Sequence, residues 1–130
     1  MRRVLILVAA AALSACSPKA PADEGQYGGL EPAILAWHKQ ISTTQAACLA
    51  KDGKGCQGFS VGCKGARILT SADQARGVTA KLVVAMSWEG WDTGRGEYRS
   101  QSGFSEFSKI DGTWQRADTN PVNLSTCAGA

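Results

Sequence analysis

Residues 97–117 read EYRSQSGFSEFSKI, DG, TWQRA, and they contain the clearest indication of the fold. Glu97–Ile110 is polar but rich in tyrosine, phenylalanine and serine, as expected of a half-exposed strand. The Asp111-Gly112 dipeptide favours a two-residue type I′ turn, because both central positions of that turn need a positive φ. Residues 113–117 are therefore predicted to return as the antiparallel partner strand.

The predicted turn also sets the register of the hairpin. A two-residue loop places Lys109 opposite Trp114, and Phe107 opposite Arg116. Cross-strand pairs of this kind stabilise a sheet, so the hairpin is expected to form part of a larger one.

The remaining strands are predicted upstream of the hairpin. Residues 81–88 alternate between two faces, and one face carries large apolar side chains: Leu82, Val84, Met86 and Trp88. Residues 58–69 predict two short strands, one at 59–61 and one at 67–69. Together these segments predict an antiparallel meander of three or four strands.

A long helix is predicted before the sheet. Pro32 suits the first helical position, where its missing N–H costs nothing. Four apolar residues then fall on one face at helical spacing: Ile34, Trp37, Ile41 and Cys48. The helix is expected to end near Ala50, because residues 51–55 (KDGKG) are a glycine-rich breaker.

A second, shorter helix is predicted after residue 70. Ser71-Ala72-Asp73-Gln74 matches the capping-box pattern, in which Ser71 would be the N-cap. Gly77 suits the end of a helix of about two turns.

These elements predict an α+β fold, with the N-terminal helix packed on a small antiparallel sheet that is stapled by disulfides. The helix-first order and the terminal Phe-x-x-x-Asp-Gly-x-Trp hairpin (residues 107–114) resemble the cystatin-like and nuclear-transport-factor-like folds. That resemblance concerns the fold and implies no function.

The N-terminus has the pattern of an export signal. Arg2 and Arg3 precede an unbroken apolar run of ten residues, 4–13. Since a membrane-spanning helix needs about 20 apolar residues, this run predicts a secretory signal peptide and not a membrane span.

Residues 13–16 (Leu-Ser-Ala-Cys) resemble the lipobox of bacterial lipoproteins. The resemblance implies cleavage after residue 15, lipidation of Cys16 and attachment to a membrane. It also implies the periplasmic face of the outer membrane, because Ser17 stands where an aspartate-based signal retains other lipoproteins at the inner membrane. The alternative is a plain secreted protein cut after Ala15, with Cys16 as a free thiol.

We accordingly divide the chain into a cleaved signal peptide (1–15), a lipidated tether (16–29) and a single domain (30–130). The tether prediction depends on residues 17–29, which are rich in proline and glycine and carry almost nothing to bury.

The cysteine count agrees with export. With Cys16 assigned to lipid, four cysteines remain, which is enough for two disulfides in an oxidising compartment. These disulfide candidates are Cys48, Cys56, Cys63 and Cys127. Three connectivities are open, and we favour Cys48–Cys56 with Cys63–Cys127. A four-thiolate zinc site is the alternative, but its ligands usually come in closely spaced pairs that are missing here.

Composition and motifs exclude several functions. Without Arg2 and Arg3, 12 basic residues face 11 acidic ones, so no electrostatic footprint for nucleic acid is left. His38 is the single histidine, which excludes metal sites built on two histidines. We expect no metal and no cofactor, and no motif assigns a catalytic residue.

The most suggestive stretch is residues 88–98, WEGWDTGRGEY. An aromatic residue on a glycine-rich loop can stack on a sugar ring or anchor a protein partner. We therefore predict ligand contact by Trp91, Arg95 and Tyr98. In the alternative interpretation, Trp88 belongs to the core and Trp91 covers its edge.

The sequence thus predicts an envelope lipoprotein with a non-enzymatic binding or envelope-maintenance role, whose partner would be an envelope protein or a glycan. The alternative is a small envelope enzyme that uses a glutamate or aspartate as acid or base in a pocket between helix and sheet.

Overall fold

The computed structural model of the protein describes residues 25–129. The predicted signal peptide, Cys16 and the first part of the predicted tether lie outside these residues. The elements in chain order are α1 Leu30–Thr44, α2 Ala46–Gly53, β1 Cys56–Ala66, α3 Ser71–Ala75, β2 Val78–Asp92, β3 Glu97–Ile110 and β4 Thr113–Asp118. The strands form one antiparallel sheet in the order β1-β2-β3-β4, so the α+β prediction is confirmed.

The C-terminal hairpin has the predicted geometry. Asp111 and Gly112 adopt φ values of 50° and 76°, as a type I′ turn requires. In the observed register Lys109 lies opposite Trp114, and β4 runs one residue further than predicted. Trp114 Nε1 donates a 2.9 Å hydrogen bond to the carbonyl of Gly28, so the end of the predicted tether contacts the sheet.

The core lies between α1 and one face of the sheet. The buried stripe of α1 packs against the predicted apolar face of β2 and against β3. The buried residues of this core are Leu30, Ile34, Trp37, Ile41, Cys48, Leu82, Val84, Met86, Trp88 and Phe107. Gly103 allows this packing, because a Cβ there would lie only 3.1 Å from the ring of Trp37 and 3.2 Å from that of Trp88.

The prediction of one continuous N-terminal helix is wrong, because the chain leaves the helical conformation at Gln45 (ψ 135°) and forms two helices. Just before the break, the hydroxyls of Ser42, Thr43 and Thr44 donate to main-chain carbonyls one turn back, which weakens helix propagation. The break starts α2 in a new direction and leaves Cys48 buried beside Cys56, to which it is bonded.

Two further local predictions are corrected. The strand predicted at 59–61 lies within a longer strand, β1, which has two register irregularities, whereas residues 67–69 form no strand. The N-cap of α3 is Thr70 and not Ser71, because Thr70 and Asp73 form the reciprocal capping box. α3 has only five residues, although Gly77 (φ 80°) follows it as predicted.

The second face of the sheet is covered by the C-terminal strap, which we define as residues 119–129. A disulfide joins Cys63 of β1 to Cys127 of the strap, and the Cys48–Cys56 bridge completes the favoured connectivity. Val83 and Ala85 on this face are 2% and 0% exposed. The sheet is therefore sandwiched between helices and strap over part of its length.

Candidate binding surface at the end of the β2–β3 hairpin

The end of the β2–β3 hairpin carries two partly exposed aromatic side chains. Trp91 and Tyr98 are directly opposite each other across the two strands, and their rings meet edge to face at a centroid distance of 5.0 Å. Because side chains alternate along a strand, Trp91 lies on the opposite face from the buried Trp88. Trp88 is a core residue, as the alternative interpretation held, but Trp91 does not cover its edge.

A lysine from a different element completes this group. Lys51 Nζ lies 3.9 Å from the centroid of the Trp91 ring and 5.0 Å from that of Tyr98. A cation over an aromatic face is stabilised by about 0.5–1 kcal/mol at exposed sites. We call Lys51, Trp91 and Tyr98 the aromatic corner.

The last part of α2 is not helical, and the loop formed by residues 50–55 places Lys51 there. Lys51 and Asp52 have φ values of 53° and 57°, in the left-handed region that residues other than glycine rarely adopt. The Cys48–Cys56 disulfide closes this loop at its base. A conformation of this cost persists only where the surrounding structure imposes it.

Hydrogen bonds fix the loop to the hairpin as well. The Trp91 N–H donates to the carbonyl of Gly55 at 2.7 Å, and Tyr98 Oη donates to the carbonyl of Lys54 at 3.4 Å. The aromatic corner is therefore assembled from segments about 40 residues apart and is held from both sides.

Lys51 has no carboxylate partner within residues 25–129. Its charge is offset by the two rings alone, and Asp52 beside it in the chain forms no ion pair with it. The aromatic corner thus presents a positive charge and two aromatic edges on one surface.

Polar side chains continue this surface along the sheet. Gln57 Nε2 donates to Glu89 Oε2 at 2.9 Å on the same face as Trp91. The alternation of β2 and β3 places three serine hydroxyls there as well: Ser87, Ser100 and Ser102. This face therefore offers several donors and acceptors next to the aromatic corner.

An open groove of about 500 Å³ lies between the same hairpin end and α2, and Trp91 and Ser100 also line it. Its polar lining includes Asp92, Thr93, Arg99 and Gln101, and α2 contributes Ala46 and Ala47.

The predicted contact residues are only partly brought together. Trp91 and Tyr98 form a pair, but Arg95 lies in the turn, where its Nε is 3.9 Å from Asp92 Oδ2. Lys51 was missed, since it falls in a stretch that looks like a simple helix terminator. No local sequence signal identifies it, because its contacts depend on the tertiary fold.

Other candidates have structural explanations. His38 stacks on Phe59 at a centroid distance of 3.9 Å on the edge of α1. Within the described part of the chain, no cluster of histidine, cysteine or acidic residues could hold a metal ion. None of the helices between residues 25 and 129 has the length and apolar character that crossing a bilayer requires.

Comparison with protein-family models, curated proteins and solved structures finds no match to this chain. The resemblance to cystatin-like and nuclear-transport-factor-like folds accordingly stays a prediction, and function has to be inferred from the surfaces described above.

Proposed function

We propose that this protein is a lipid-anchored protein of the cell envelope that binds its ligand non-enzymatically through the aromatic corner. The lipobox at residues 13–16 supports an anchor on Cys16, and Ser17 favours the periplasmic face of the outer membrane. The two disulfides support an oxidising compartment, because such bonds are rare in the cytosol.

The observation that carries the binding proposal is the position of Lys51. A disulfide-closed loop in a costly backbone conformation holds its ammonium group over two partly exposed rings, and no carboxylate among residues 25–129 neutralises it. A surface fixed in advance loses little conformational entropy on binding, which raises affinity. Preorganisation of a charge and two rings is typical of a recognition surface.

The chemistry of this surface favours an anionic glycan of the envelope. Lys51 can pair with a carboxylate or phosphate, and the exposed parts of Trp91 and Tyr98 can contact a sugar ring. The neighbouring row of serine hydroxyls, with Gln57, can exchange hydrogen bonds with sugar hydroxyls. A predominantly apolar protein partner would leave this row unsatisfied.

The test uses the full lipidated chain, purified in detergent, with fragments of peptidoglycan and with lipopolysaccharide as probes. We expect one of these glycans to bind, and both Trp91→Ala and Lys51→Gln to weaken binding. Ile68→Ala is the matched control, because Ile68 is 93% exposed and lies away from the corner.

Crosslinking in intact cells complements this measurement. Recovery of a protein partner whose binding depends on Trp91, with no glycan bound, would replace the glycan by a protein ligand. Binding that is unaffected by both variants would contradict the proposed surface.

The anchor is tested separately by labelling cells with a radioactive fatty acid. The wild-type protein should incorporate the label and sediment with membranes, whereas Cys16→Ser should do neither. A Cys16→Ser protein that still incorporates the label would contradict the anchor.

A further inference from the structure

The sheet has a step at its β3 edge. β3 has 14 residues, but β4 pairs only with its second part, Ser105–Ile110. Thr119 N–H donates to the carbonyl of Phe104, and no described residue bonds to the outer backbone edge of residues 97–103. This part of β3 therefore has an unpaired edge, which we call the free edge.

The free edge is regular and uncovered. β2 and β3 pair without interruption from Ala80 and Lys109 to Asp92 and Glu97. At the β1 edge of the sheet, by contrast, two register irregularities hinder pairing with a further strand. Residues 97–103 are exposed or half-buried, and none of them is a proline. A regular edge without such protection is a template for strand addition.

Backbone groups of alternate residues point outward from the free edge. The Phe104 carbonyl is directed away from β2, towards Thr119. In an antiparallel strand the N–H and C=O of one residue point to the same side, and that side alternates along the strand. Tyr98, Ser100 and Ser102 therefore direct both groups outward. These donors and acceptors recur about every 7 Å, which matches the main chain of an extended peptide and not a sugar chain.

Two unpaired charges flank Tyr98 on one face of this edge. Gln101 is directly opposite the core residue Trp88, so Arg99 and Glu97 also lie on the α1 side of the sheet. Both charged side chains are exposed, and neither forms an ion pair within the described part of the chain. Arg99 and Gln101 also line the open groove beside α2, which leaves room for the side chains of an added strand.

We propose that the free edge binds an extended segment of a partner protein, which adds to the sheet as an antiparallel strand. In this mode of recognition main-chain hydrogen bonds give affinity, and side-chain contacts give specificity. Glu97 and Arg99 alternate with the residues that bond outward, and at such positions the side chains of antiparallel neighbours come closest. The partner therefore carries an acidic residue opposite Arg99 and, two positions nearer its C-terminus, a basic residue opposite Glu97.

A second copy of this chain does not meet these requirements. A two-fold axis at Ser100 pairs the whole free edge but places Arg99 opposite Gln101, so no opposite charges meet. An axis at Tyr98 brings Glu97 opposite Arg99 but pairs only residues 97–99 of each edge. A different chain is free of this symmetry and can satisfy the backbone groups and both charges together. This docking does not depend on the ligand of the aromatic corner.

The test uses synthetic peptides as long as the free edge, with the full lipidated chain in detergent. The first peptide consists of threonine and valine, except for a glutamate opposite Arg99 and a lysine opposite Glu97. The second peptide has these two charges exchanged. Fluorescence anisotropy should show about ten-fold tighter binding of the first peptide, because the exchange turns two attractive charge pairs into repulsive ones.

Charge reversal in the protein provides the matched comparison. The double variant Glu97→Arg/Arg99→Glu should bind the second peptide more tightly than the first, since its edge carries the exchanged charges. Lys39→Glu on the exposed side of α1 is the charge-reversal control and should keep the wild-type preference.

Methylation of single peptide nitrogens tests the strand pairing itself. A methyl group on the residue opposite Ser100 removes a hydrogen bond to the sheet and should abolish binding. On the residue opposite Arg99 the methyl group points away from the sheet and should be tolerated. Binding of neither peptide, equal binding of both, or indifference to the site of methylation would overturn the proposal. A dimer of the chain in sedimentation equilibrium that the first peptide disrupts would assign the edge to a second copy and would overturn it as well.

Discussion

Cys63 and Cys127 are joined by a disulfide that fastens the C-terminal strap across the face of the sheet opposite α1. The two cysteines are 64 residues apart in sequence, and their bond links the edge strand β1 to the strap. Arg67 adds a 2.6 Å hydrogen bond to the carbonyl of Cys127. The strap is thus held at one point by both a covalent bond and a hydrogen bond.

Removing this disulfide should cost more stability than removing the other one. In the chain-entropy model, the long loop of the Cys63–Cys127 bond contributes about 4 kcal/mol, and the eight-residue separation of Cys48–Cys56 contributes about 2.5 kcal/mol. Chemical denaturation of the two double-serine variants gives both values. A smaller loss for the Cys63→Ser/Cys127→Ser variant would show that the strap contributes little.

Close approach of the strap to β1 should make Gly62 sensitive to substitution. A Cβ at Gly62 would lie 2.2 Å from the backbone oxygen of Leu124, so the strap would have to move. We expect Gly62→Ala to lower the free energy of unfolding by about 1–3 kcal/mol. Gly129→Ala is the control, because a Cβ there meets nothing within 4 Å. Equal stability of the two variants in a denaturant titration would be incompatible with this packing.

The two tryptophans of β2 should respond differently to truncation. Trp88→Ala removes a core side chain that is 3% exposed and should cost about 3–5 kcal/mol. Trp91→Ala removes an edge-to-face contact and a cation contact at the surface and should cost about 1 kcal/mol. Thermal melting followed by circular dichroism compares the two. A cost for Trp91→Ala near that of Trp88→Ala would place Trp91 in the core.

Asp73 should make stability depend on acid pH. The backbone N–H of Thr70, the ammonium group of Lys81 and the Thr70 hydroxyl hold the pKa of the buried Asp73 carboxyl below its ordinary value. The hydrogen bond that Lys81 donates to Asp73 also raises the pKa of Lys81.

A lowered pKa in the folded state means that the unfolded chain binds the proton first as pH falls. The stabilisation from Asp73 is therefore complete above about pH 5 and is lost progressively as the pH falls through the unfolded pKa of about 3.9 towards the lower pKa of the folded state. Melting temperatures from pH 7 to pH 3 should fall less steeply for Asp73→Asn than for wild type. Asp118→Asn, at an exposed carboxyl, should follow the wild-type curve. Parallel curves for Asp73→Asn and wild type would contradict this role.

Local patterns predicted much of the fold. The Asp111-Gly112 turn determined the hairpin and its register, because positive φ at two consecutive positions admits few residue types. The alternation in β2 and the stripe of α1 identified the core, because burial imposes periods of two and of about three and a half residues.

Local patterns did not predict where one helix or strand ends and the next begins. The helix break at Gln45 leaves Cys48 bonded to Cys56, and β1 is a single strand because β2 pairs with it along its length. These outcomes depend on partners far away in the chain. The periodicity within one segment does not indicate which distant segments will pack or pair with it.

The α+β class, the two aromatic residues of the aromatic corner and the cysteines available for bridging could be predicted from the sequence. Three features depend on the tertiary structure: Lys51 lies over Trp91, the strap covers the second face, and residues 97–103 of β3 have no outer partner strand among residues 25–129. The physical reason is that propensity and periodicity act between neighbours in the chain. Ring contacts, disulfide geometry and strand pairing act between segments that only folding brings together.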